Sequence, residues 1–389
     1  MTVVETARRL APELAAAVEE GDRLRRLPDA TWRLLVDSGL VRALQPARWG
    51  GGEVALSEFM DAVIEVSRAN PSAGWVMGVM GVHPWQLALF DERAQREMWG
   101  EDPARVHSSS YMPTGKATRV DGGYRLEGRW SFSSGCDHGD GVNLGAIVGV
   151  LDLGEGVKIP DYRSLLVLAG EYEIDDNWHT AGLRGTGSKD IVVKGVFVPD
   201  HRVQSHLDYA AWSALPGQKL NDGPLYRMSW SAVFNLVLAA SVFGMARGFL
   251  DAWTEVTANR VVPPKVAQRD DPLTQIRLAE AEWTWDAAVS KLRRAVTDMQ
   301  DMAERGEHPS DDYLARIRWD ANHGCEAVGA AVHGLYHATT GRTAYTDHPL
   351  HRLFQDVQTA LGHAYLAPEG HARNYAGHLL GAGPQVLTA

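Results

Sequence analysis

The sequence predicts an α+β fold in which a β-rich segment lies between two helical ones. Residues 1–105 and 211–389 carry helical periodicity, whereas residues 106–210 contain short β-branched runs separated by Gly, Pro and Asp. At 389 residues the chain is long for one hydrophobic core. We therefore expect three domains with these boundaries: an N-terminal helical domain, a central antiparallel β domain and a C-terminal four-helix bundle.

Helix start and stop signals punctuate the N-terminal domain. Pro28-Asp29 opens a helical pattern that ends at Ser38-Gly39, where glycine favours a stop. Asn70-Pro71 supplies an N-cap and a first-turn proline for an apolar helix over Ser72–Leu89. These signals predict short helices that pack around one long buried helix.

The central and C-terminal segments differ in their periodicity. Asp121-Gly122-Gly123 separates two alternating runs, Lys116–Val120 and Tyr124–Trp130, which predicts a β-hairpin. After residue 225 the pattern returns to long helices, which we predict at Ser229–Ala258, Pro272–Glu304, Asp311–Thr339 and His351–Leu366.

Composition excludes several classes of function. With 38 Lys+Arg against 49 Asp+Glu the net charge is −11, which disfavours nucleic acid and anionic membranes as partners. Two cysteines, Cys136 and Cys325, form no disulfide framework and suit a reducing cytoplasm. The apolar stretch Ala232–Ala246 is shorter than the roughly 20 residues of a membrane span. We expect a cytoplasmic protein in which this stretch is a buried helix.

Two short segments about fifty residues apart combine glycines, hydroxyls and a larger side chain. Trp130–His138 has the sequence WSFSSGCDH, and Gly182–Ser188 has the sequence GLRGTGS. Glycine lets the backbone come close to a ligand, hydroxyls bond its polar edge and an aromatic ring covers a face. The pair favours a flat ligand with a polar edge, lying on the sheet.

These motifs, in this order between helical segments, resemble the acyl-CoA dehydrogenase fold. The resemblance is greater to the oxygenase components of two-component flavin-dependent monooxygenases, particularly the steroid-phenol and aromatic hydroxylases. It extends through Leu44–Gly51, Val79–Asp91, Ser108–Pro113, Ser133–His138, Phe197–Pro199 and Arg352–Ala364.

The resemblance implies both the cofactor and the partners. Reduced FAD or FMN would come from a separate NAD(P)H:flavin reductase and react with O2 to a C4a-hydroperoxide. That species would hydroxylate an aromatic substrate, whether a phenol, an indole or a polycycle. The resemblance also implies a homotetramer and either secondary metabolism or steroid degradation. No GxGxxG follows a strand, so a nicotinamide site of this chain's own is not expected.

The resemblance also assigns cofactor contacts. Ser134 matches the hydroxyl that bonds flavin N5, and Arg260 matches an arginine that reaches flavin phosphate across a subunit interface, a task that suits guanidinium. The other cofactor-binding residues implied are Ser109, Ser110, Tyr111, Trp130, Phe132, Ser133, Arg184, Thr186 and Ser188.

Catalysis and substrate binding are assigned in the same way. His363 matches a histidine that faces the flavin and is the expected general base, since neutral imidazole can accept a phenol proton. His83 and Ser134 are the other catalytic candidates. The implied substrate-binding residues are His83, Trp85, Tyr111 and His363. Asp137, His138 and Asp140 lack metal-ligand spacing, so no metal is expected.

Three alternatives remain open at this stage. An acyl-CoA dehydrogenase needs a carboxylate base; Leu361–Ala367 has histidine there, leaving Glu282 or Glu369 as candidates. Oxidase chemistry on amines or nitroalkanes would use the same fold. A flavin-free scaffold or binding protein is the alternative from another class, and flavin would not stabilise it.

Overall fold

The computed structural model describes residues 1–152, 154, 156, 158–212, 215–262, 266–339 and 341–382. Its N-terminal part is helical. The helices are α1 (Val3–Ala16), α2 (Val18–Leu24), α3 (Asp29–Asp37), α4 (Leu56–Ala69), α5 (Pro71–Leu87) and α6 (Glu92–Trp99).

The predicted caps explain where two of these helices begin and end. Helix α3 starts at Asp29 and is followed by Gly39 at φ +79°. In α5 the Asn70 side chain accepts a hydrogen bond from the Ala73 N–H at 3.0 Å. Nearly every residue of α5 is buried, so this helix runs through the interior of the protein.

A seven-stranded sheet forms the middle of the molecule. Its strands are β1 (Ser108–Val120), β2 (Gly123–Ser133), β3 (Gly141–Asp152), β4 (Lys158–Leu168), β5 (Glu173–Asp175), β6 (Lys189–Pro199) and β7 (Val203–Ser205). The order across the sheet is β5-β6-β2-β1-β3-β4-β7. Neighbours are antiparallel, including the predicted β1–β2 hairpin, except that β1 and β3 are parallel. The sheet is therefore mixed.

Helices return after the sheet. They are α7 (His206–Ala210), α8 (Trp230–Ala258), α9 (Pro272–Glu304), α10 (Asp311–His337), α11 (Pro349–Leu361) and α12 (Pro368–Leu379), with a short β8 (Val261–Val262) and β9 (Val266–Ala267) pair after α8. Helices α8 to α11 pack against one another as a bundle. Helix α8 is long and apolar enough for a membrane span, but 94% of its most apolar window is buried inside the protein.

One predicted helix is shorter than expected. The pattern over His351–Leu366 predicted a continuous helix, but α11 ends at Leu361, and His363 instead caps a short 3-10 turn over Ala364–Leu366. Gly362 separates the two elements. His363 therefore lies at a break in the backbone and not on a helix face.

Candidate active site

Three hydroxyls from two loops form a hydrogen-bonded cluster, which we call the hydroxyl cluster. Ser134, directly after β2, lies with its Oγ 2.7 Å from the Ser188 Oγ, just before β6. The Thr186 Oγ1 lies 2.7 Å from the same Ser188 Oγ and donates to the Leu183 carbonyl at 2.8 Å. Both predicted motifs therefore converge, because β2 and β6 are neighbours in the sheet.

Two glycines allow the loops to come this close. Gly135 has φ +73°, and a Cβ there would lie 2.3 Å from the Met80 sulfur on α5. Gly187 has φ +54°, and a Cβ there would lie 2.6 Å from a carboxylate oxygen of Asp137. Any side chain at either position would clash in a backbone conformation that already favours glycine.

Trp75 of α5 links the hydroxyl cluster to the C-terminal bundle. Its Nε1 donates to the Ser134 Oγ at 3.1 Å, and its ring meets His363 edge-on with 5.6 Å between centroids. The Ser134 Oγ thus accepts a hydrogen bond from Trp75 while it is also hydrogen-bonded within the hydroxyl cluster. Trp75 was not among the predicted site residues, although it lies in the apolar helix predicted after Asn70-Pro71.

The hydrogen bonding of His363 defines what its imidazole can do. The Nδ1 accepts from the Tyr365 backbone N–H at 3.2 Å, so in the neutral ring the proton is on Nε2. Burial lowers the pKa of His363 to about 4, which keeps the ring neutral at physiological pH. In this tautomer the free Nε2–H is a hydrogen-bond donor. This geometry favours donation over the general-base role that the sequence predicted.

The surroundings of the hydroxyl cluster fit a flavin. Phe132 has φ +66° and is 67% exposed, which places an aromatic surface beside Ser134. Arg184 is exposed at the start of the second loop. A flat heterocycle with a polar edge matches fixed hydroxyls flanked by a ring and a cation. Phe132, Ser134, Arg184, Thr186 and Ser188 are thus the predicted cofactor residues that the fold gathers.

A second group of side chains, the aromatic cluster, lies between α5, the sheet and α8. Its members pack ring on ring, with centroid separations between 4.5 and 6.2 Å for the contacts among them. They are His83, Tyr111, His206, Tyr209, Trp230 and Phe234. Trp230 also meets Tyr365, two residues beyond His363, at 6.5 Å, so the aromatic cluster extends to the segment that contains His363.

His83 has unused hydrogen-bonding capacity. It is 1% exposed, and neither ring nitrogen has a partner among the residues that the structure describes. The ring stacks on His107 at 5.0 Å. Burial, reinforced by His107, lowers the pKa of His83 well below 6.5. A neutral imidazole presents one donor and one acceptor nitrogen, and both are available to a polar ligand.

A buried amide network holds Tyr111 and His107 in place. The Asn143 Nδ2 lies 3.0 Å from the His107 Nε2 and 3.4 Å from the Gln86 Oε1, which accepts from the Tyr111 hydroxyl. Burial raises the pKa of Tyr111 far above 10, so its phenol stays protonated. Gln86, His107 and Asn143 were missed by the sequence analysis because no local pattern distinguishes them from core polar residues.

The Tyr209–Trp230 pair also borders the surface. Its rings stack at 5.4 Å, and both residues line a surface cleft of about 290 Å³ whose other walls include Trp212 and His308. Trp212 stacks on His308 at 4.3 Å. The aromatic cluster therefore reaches this surface cleft through Tyr209 and Trp230.

Three predicted contacts are corrected by the structure. Trp130 is fully buried, donates to the Gly145 carbonyl at 2.8 Å and fills the core of the sheet. The Ser133 hydroxyl is also fully buried and donates to Ser108 at 3.0 Å. Trp85, predicted to bind substrate, is fully buried and gives its N–H to the Leu225 carbonyl. Strand alternation turns Trp130 inward, and a register shift in the β2–β6 pairing between Trp130 and Ser133 turns Ser133 inward as well.

Three other predicted cofactor residues lie outside the hydroxyl cluster. The Ser110 hydroxyl donates to the Ser131 carbonyl at 2.7 Å, and Ser109 lies beside the Tyr111 phenol. Arg260 follows the end of α8. Ser241, which packs on Gly78 of α5, is about 26 Å along the helix from that end. Within one chain Arg260 is remote from the hydroxyl cluster, so its role across a subunit interface remains a prediction.

The fold and the paired flavin-type loops define a class of protein, the acyl-CoA dehydrogenase-like flavoenzymes. Two family models match the chain: the acyl-CoA dehydrogenase N-terminal domain over residues 1–106 and the acyl-CoA dehydrogenase C-terminal domain over residues 236–368. The chain belongs to the acyl-CoA dehydrogenase family.

Within that family the chain is similar to monooxygenases. The oxygenase subunit HsaA of a flavin-dependent monooxygenase from Mycobacterium tuberculosis is 37% identical over 96% of this chain and 94% of its own length. The oxygenase component of an FADH2-dependent resorcinol hydroxylase from Rhizobium sp. is 32% identical over 90% of this chain and 86% of its own. XiaF from Streptomyces sp., solved with FADH2 and glycerol, has a TM-score of 0.90 at 30% identity, covering 100% of this chain and 97% of XiaF.

These similarities confirm the predicted fold, cofactor class and enzyme class. The chain is the oxygenase component of a flavin-dependent monooxygenase that hydroxylates an aromatic substrate, and a separate component supplies its reduced flavin. The alternative of a flavin-free scaffold is therefore wrong.

Proposed function

We propose that this oxygenase hydroxylates a phenol-type aromatic substrate whose hydroxyl is held by His83. The observation that carries the proposal is the pair of unpartnered nitrogens on a fully buried His83, within the described part of the chain. A buried polar group without a partner costs about 1–3 kcal/mol. A phenol placed among the aromatic rings would remove that cost, since its hydroxyl can both donate to and accept from imidazole.

The chain's residues divide the work. Bound reduced flavin would supply the two electrons that activate O2, of which one atom is transferred to the substrate and the other leaves as water. Ser134 is placed to hold the polar edge of the flavin with a neutral hydroxyl, whose orientation Trp75 and Ser188 fix. His363, which packs against Trp75, keeps an Nε2–H that can act as a donor. His83, a neutral imidazole, is placed to accept a hydrogen bond from the phenol, which raises electron density on the ring, and to take the proton as the ring is attacked and the hydroxyl becomes strongly acidic.

The separation of these groups supports an extended substrate. Trp75 and His83 stand eight residues apart on α5, or about 12 Å along the helix axis. Trp75 contacts Ser134 and His363, whereas His83 belongs to the aromatic cluster. A substrate that reaches both ends needs two or more fused or linked rings.

Dehydrogenase chemistry on an acyl thioester is disfavoured by the two candidate bases. Glu282 of α9 accepts two hydrogen bonds from Arg247, at 2.6 and 2.8 Å, and Arg247 lowers the pKa of this carboxyl. Glu369 is exposed in the first turn of α12. Neither carboxylate has the buried, poised environment that abstraction of an α-proton requires.

A homotetramer is part of the proposal. Leu273, Ile276 and Trp283 fall on one face of α9 and are 51%, 54% and 73% exposed. Exposed apolar side chains in such a stripe suit a subunit interface. Light scattering on the wild type and on Trp283→Glu checks the proposal, which expects a tetramer that the variant weakens; a monomeric wild type would contradict it.

The reaction itself is tested with an external flavin supply. The purified chain with NADH alone should form no product, and an unrelated flavin reductase with free FMN or FAD should restore turnover of phenolic substrates. The matched comparison is between polycyclic phenols and the same ring systems without the hydroxyl. Equal turnover of both sets would remove the proposed role of His83, and NADH-driven turnover by this chain alone would contradict the need for a reductase.

A further inference from the structure

The second loop of the hydroxyl cluster is attached to the C-terminal bundle by a carboxyl group that no catalytic role explains. Asp356 of α11 is 3% exposed, and its Oδ1 accepts a hydrogen bond from the Leu183 N–H at 2.6 Å. Leu183 has φ +51°, in the left-handed region that is costly for a branched side chain. A residue in that region persists only where its surroundings hold it.

Every backbone group of Leu183 is engaged. The Leu183 N–H donates to Asp356. The Leu183 carbonyl accepts from the Trp178 Nε1 at 3.0 Å and from the Thr186 Oγ1 at 2.8 Å. The loop also lies directly on α11: a Cβ at Gly182 would lie 2.1 Å from the Gln355 carbonyl oxygen. The strained turn at Leu183 is therefore held by contacts with α11 on one side and by hydrogen bonds from Trp178 and Thr186 on the other.

We infer that Asp356 is a positioning residue, whose carboxyl oxygen keeps the loop Gly182–Ser188 in the shape that brings Ser188 to Ser134. The inference rests on the proposed use of this loop to hold flavin. Asp356 lies on α11, seven residues before His363, which follows the end of that helix. One side chain thus ties the hydroxyl cluster to the element that places the catalytic histidine.

The charges around Asp356 come from α2, from α11 and from the loop that it contacts. Burial raises its pKa to about 7, against the Leu183 N–H and Arg352, which lower it, while Asp22 of α2 raises it further. Asp22 itself faces Arg352, Arg184 and the Gly185 backbone. The carboxyl is thus costly to ionise in place, and its Oδ1 is directed at the Leu183 amide.

Two substitutions of nearly equal size separate the hydrogen bond from simple packing. Asp356→Asn keeps an acceptor oxygen at the same place, whereas Asp356→Leu fills the site without one. Asp161→Asn on β4, another buried carboxylate, paired with Arg163 at 2.9 Å, is the control for loss of a buried charge elsewhere. If Asp356→Leu does not fold, Asp356→Ala makes the same comparison with a cavity in place of the isostere.

The first measurement is hydrogen exchange of the backbone amides of residues 183–188 in the flavin-free protein. Asp356→Leu should exchange these amides about 10-fold faster than wild type, as expected for losing a strong hydrogen bond. Asp356→Asn and Asp161→Asn should exchange them at the wild-type rate. Unchanged protection in Asp356→Leu, or equally fast exchange in Asp356→Asn, would overturn the inference.

The second measurement is the affinity for FMN and FAD by fluorescence titration. Asp356→Leu should bind flavin about 10-fold more weakly, for the same reason, and Asp356→Asn should restore binding. Wild-type binding in Asp356→Leu would overturn the inference and leave the proposed function standing. A wild type that binds neither flavin would overturn the proposed function, and the exchange comparison would still decide whether Asp356 holds the loop.

Discussion

The hydroxyl cluster and the aromatic cluster adjoin each other but differ in how far their polar groups are hydrogen-bonded. In the first, Ser134, Thr186 and Ser188 bond one another, and Trp75 donates to Ser134. In the second, several buried polar atoms lack partners among the described residues: both His83 nitrogens, the His206 Nδ1 and the Trp230 Nε1.

This difference shows what each region asks of its ligand. A cluster whose hydroxyls are already bonded is preorganised, and it can hold a cofactor edge without rearranging. A cluster with unpartnered buried atoms carries a cost of about 1–3 kcal/mol for each, which a polar aromatic ligand can remove. Under the proposed assignment, the oxygenase combines a rigid cofactor site with a substrate site whose buried polar atoms the substrate would pair.

The largest effect is expected in the aromatic cluster. His83→Ala should lower the rate of phenol hydroxylation by about 10²–10⁴-fold, the range of general acid–base catalysis. Flavin affinity should stay at the wild-type value, because His83 contacts none of the hydroxyl cluster among the described contacts. Single-turnover rates with reduced flavin and flavin titrations check the two halves.

His371→Ala on α12 is the control for loss of a buried histidine. A weakened flavin site in His83→Ala would show that the two clusters are not independent.

The next effect concerns His363, where the two clusters meet. Losing its Nε2–H donor should slow hydroxylation by about 10- to 150-fold in His363→Ala, the equivalent of a hydrogen bond to a developing charge. A substrate that needs no deprotonation should lose as much as a phenol, since the role is donation. A loss confined to phenols would restore the base role that the sequence predicted.

The pH profile of the wild type sharpens the same point. Because burial lowers the pKa of His363 to about 4, the rate should show no acid limb from this residue between pH 5.5 and 8. Rates of the single turnover across that range, compared with those of His363→Ala, test it. An inflection near pH 6.5 that His363→Ala abolishes would contradict the neutral donor.

The free energy of unfolding should depend on pH in the acid range because of His107, which stacks on His83 of the aromatic cluster. Burial lowers the pKa of His107, beneath His83, to about 3, so below pH 6.5 the unfolded chain takes up a proton that the folded chain does not. Stability therefore falls as the pH drops from 6.5, by up to about 2 kcal/mol at pH 5 for this group.

His107→Gln, which keeps an acceptor for Asn143, should remove that part of the acid loss. Urea unfolding at pH 7 and pH 5 measures it, with His323→Gln on the exposed face of α10 as the control. An identical acid loss in His107→Gln and the wild type would mean that His107 is protonated when folded.

The smallest effect is expected at Ser134. Because Trp75 and Ser188 already organise this hydroxyl, Ser134→Ala should keep the fold and lose about 0.5–1.5 kcal/mol of stabilisation at the cofactor edge. The ratio of hydrogen peroxide to product should rise roughly 2- to 13-fold. Ser133→Ala, one residue earlier but turned into the sheet, is the matched control. Equal uncoupling in both variants would remove Ser134 from the flavin edge.

The sequence by itself determined the architecture and the two flavin loops. The helix start at Asp29, the cap at Asn70, the Gly122 hairpin and the long C-terminal helices depend on local backbone preferences, which neighbouring residues largely decide. The glycine-hydroxyl composition of the two loops was equally local. This is why Ser134, Thr186 and Ser188 could be named before the fold was seen.

Only the tertiary structure decided which side chains face the ligands and how they are bonded. Trp130 and Ser133 share a motif with Ser134, yet the register shift of β2 between them turns both into the sheet. Trp75 and Asp356 come from helices far apart in the chain, and the rings packed on His83 come from β1, from α8 and from the residue before β1. Their roles arise from packing that no local pattern records. The tautomer of His363 likewise follows from one contact with the Tyr365 backbone, which exists because α11 ends at Leu361 instead of continuing as a helix.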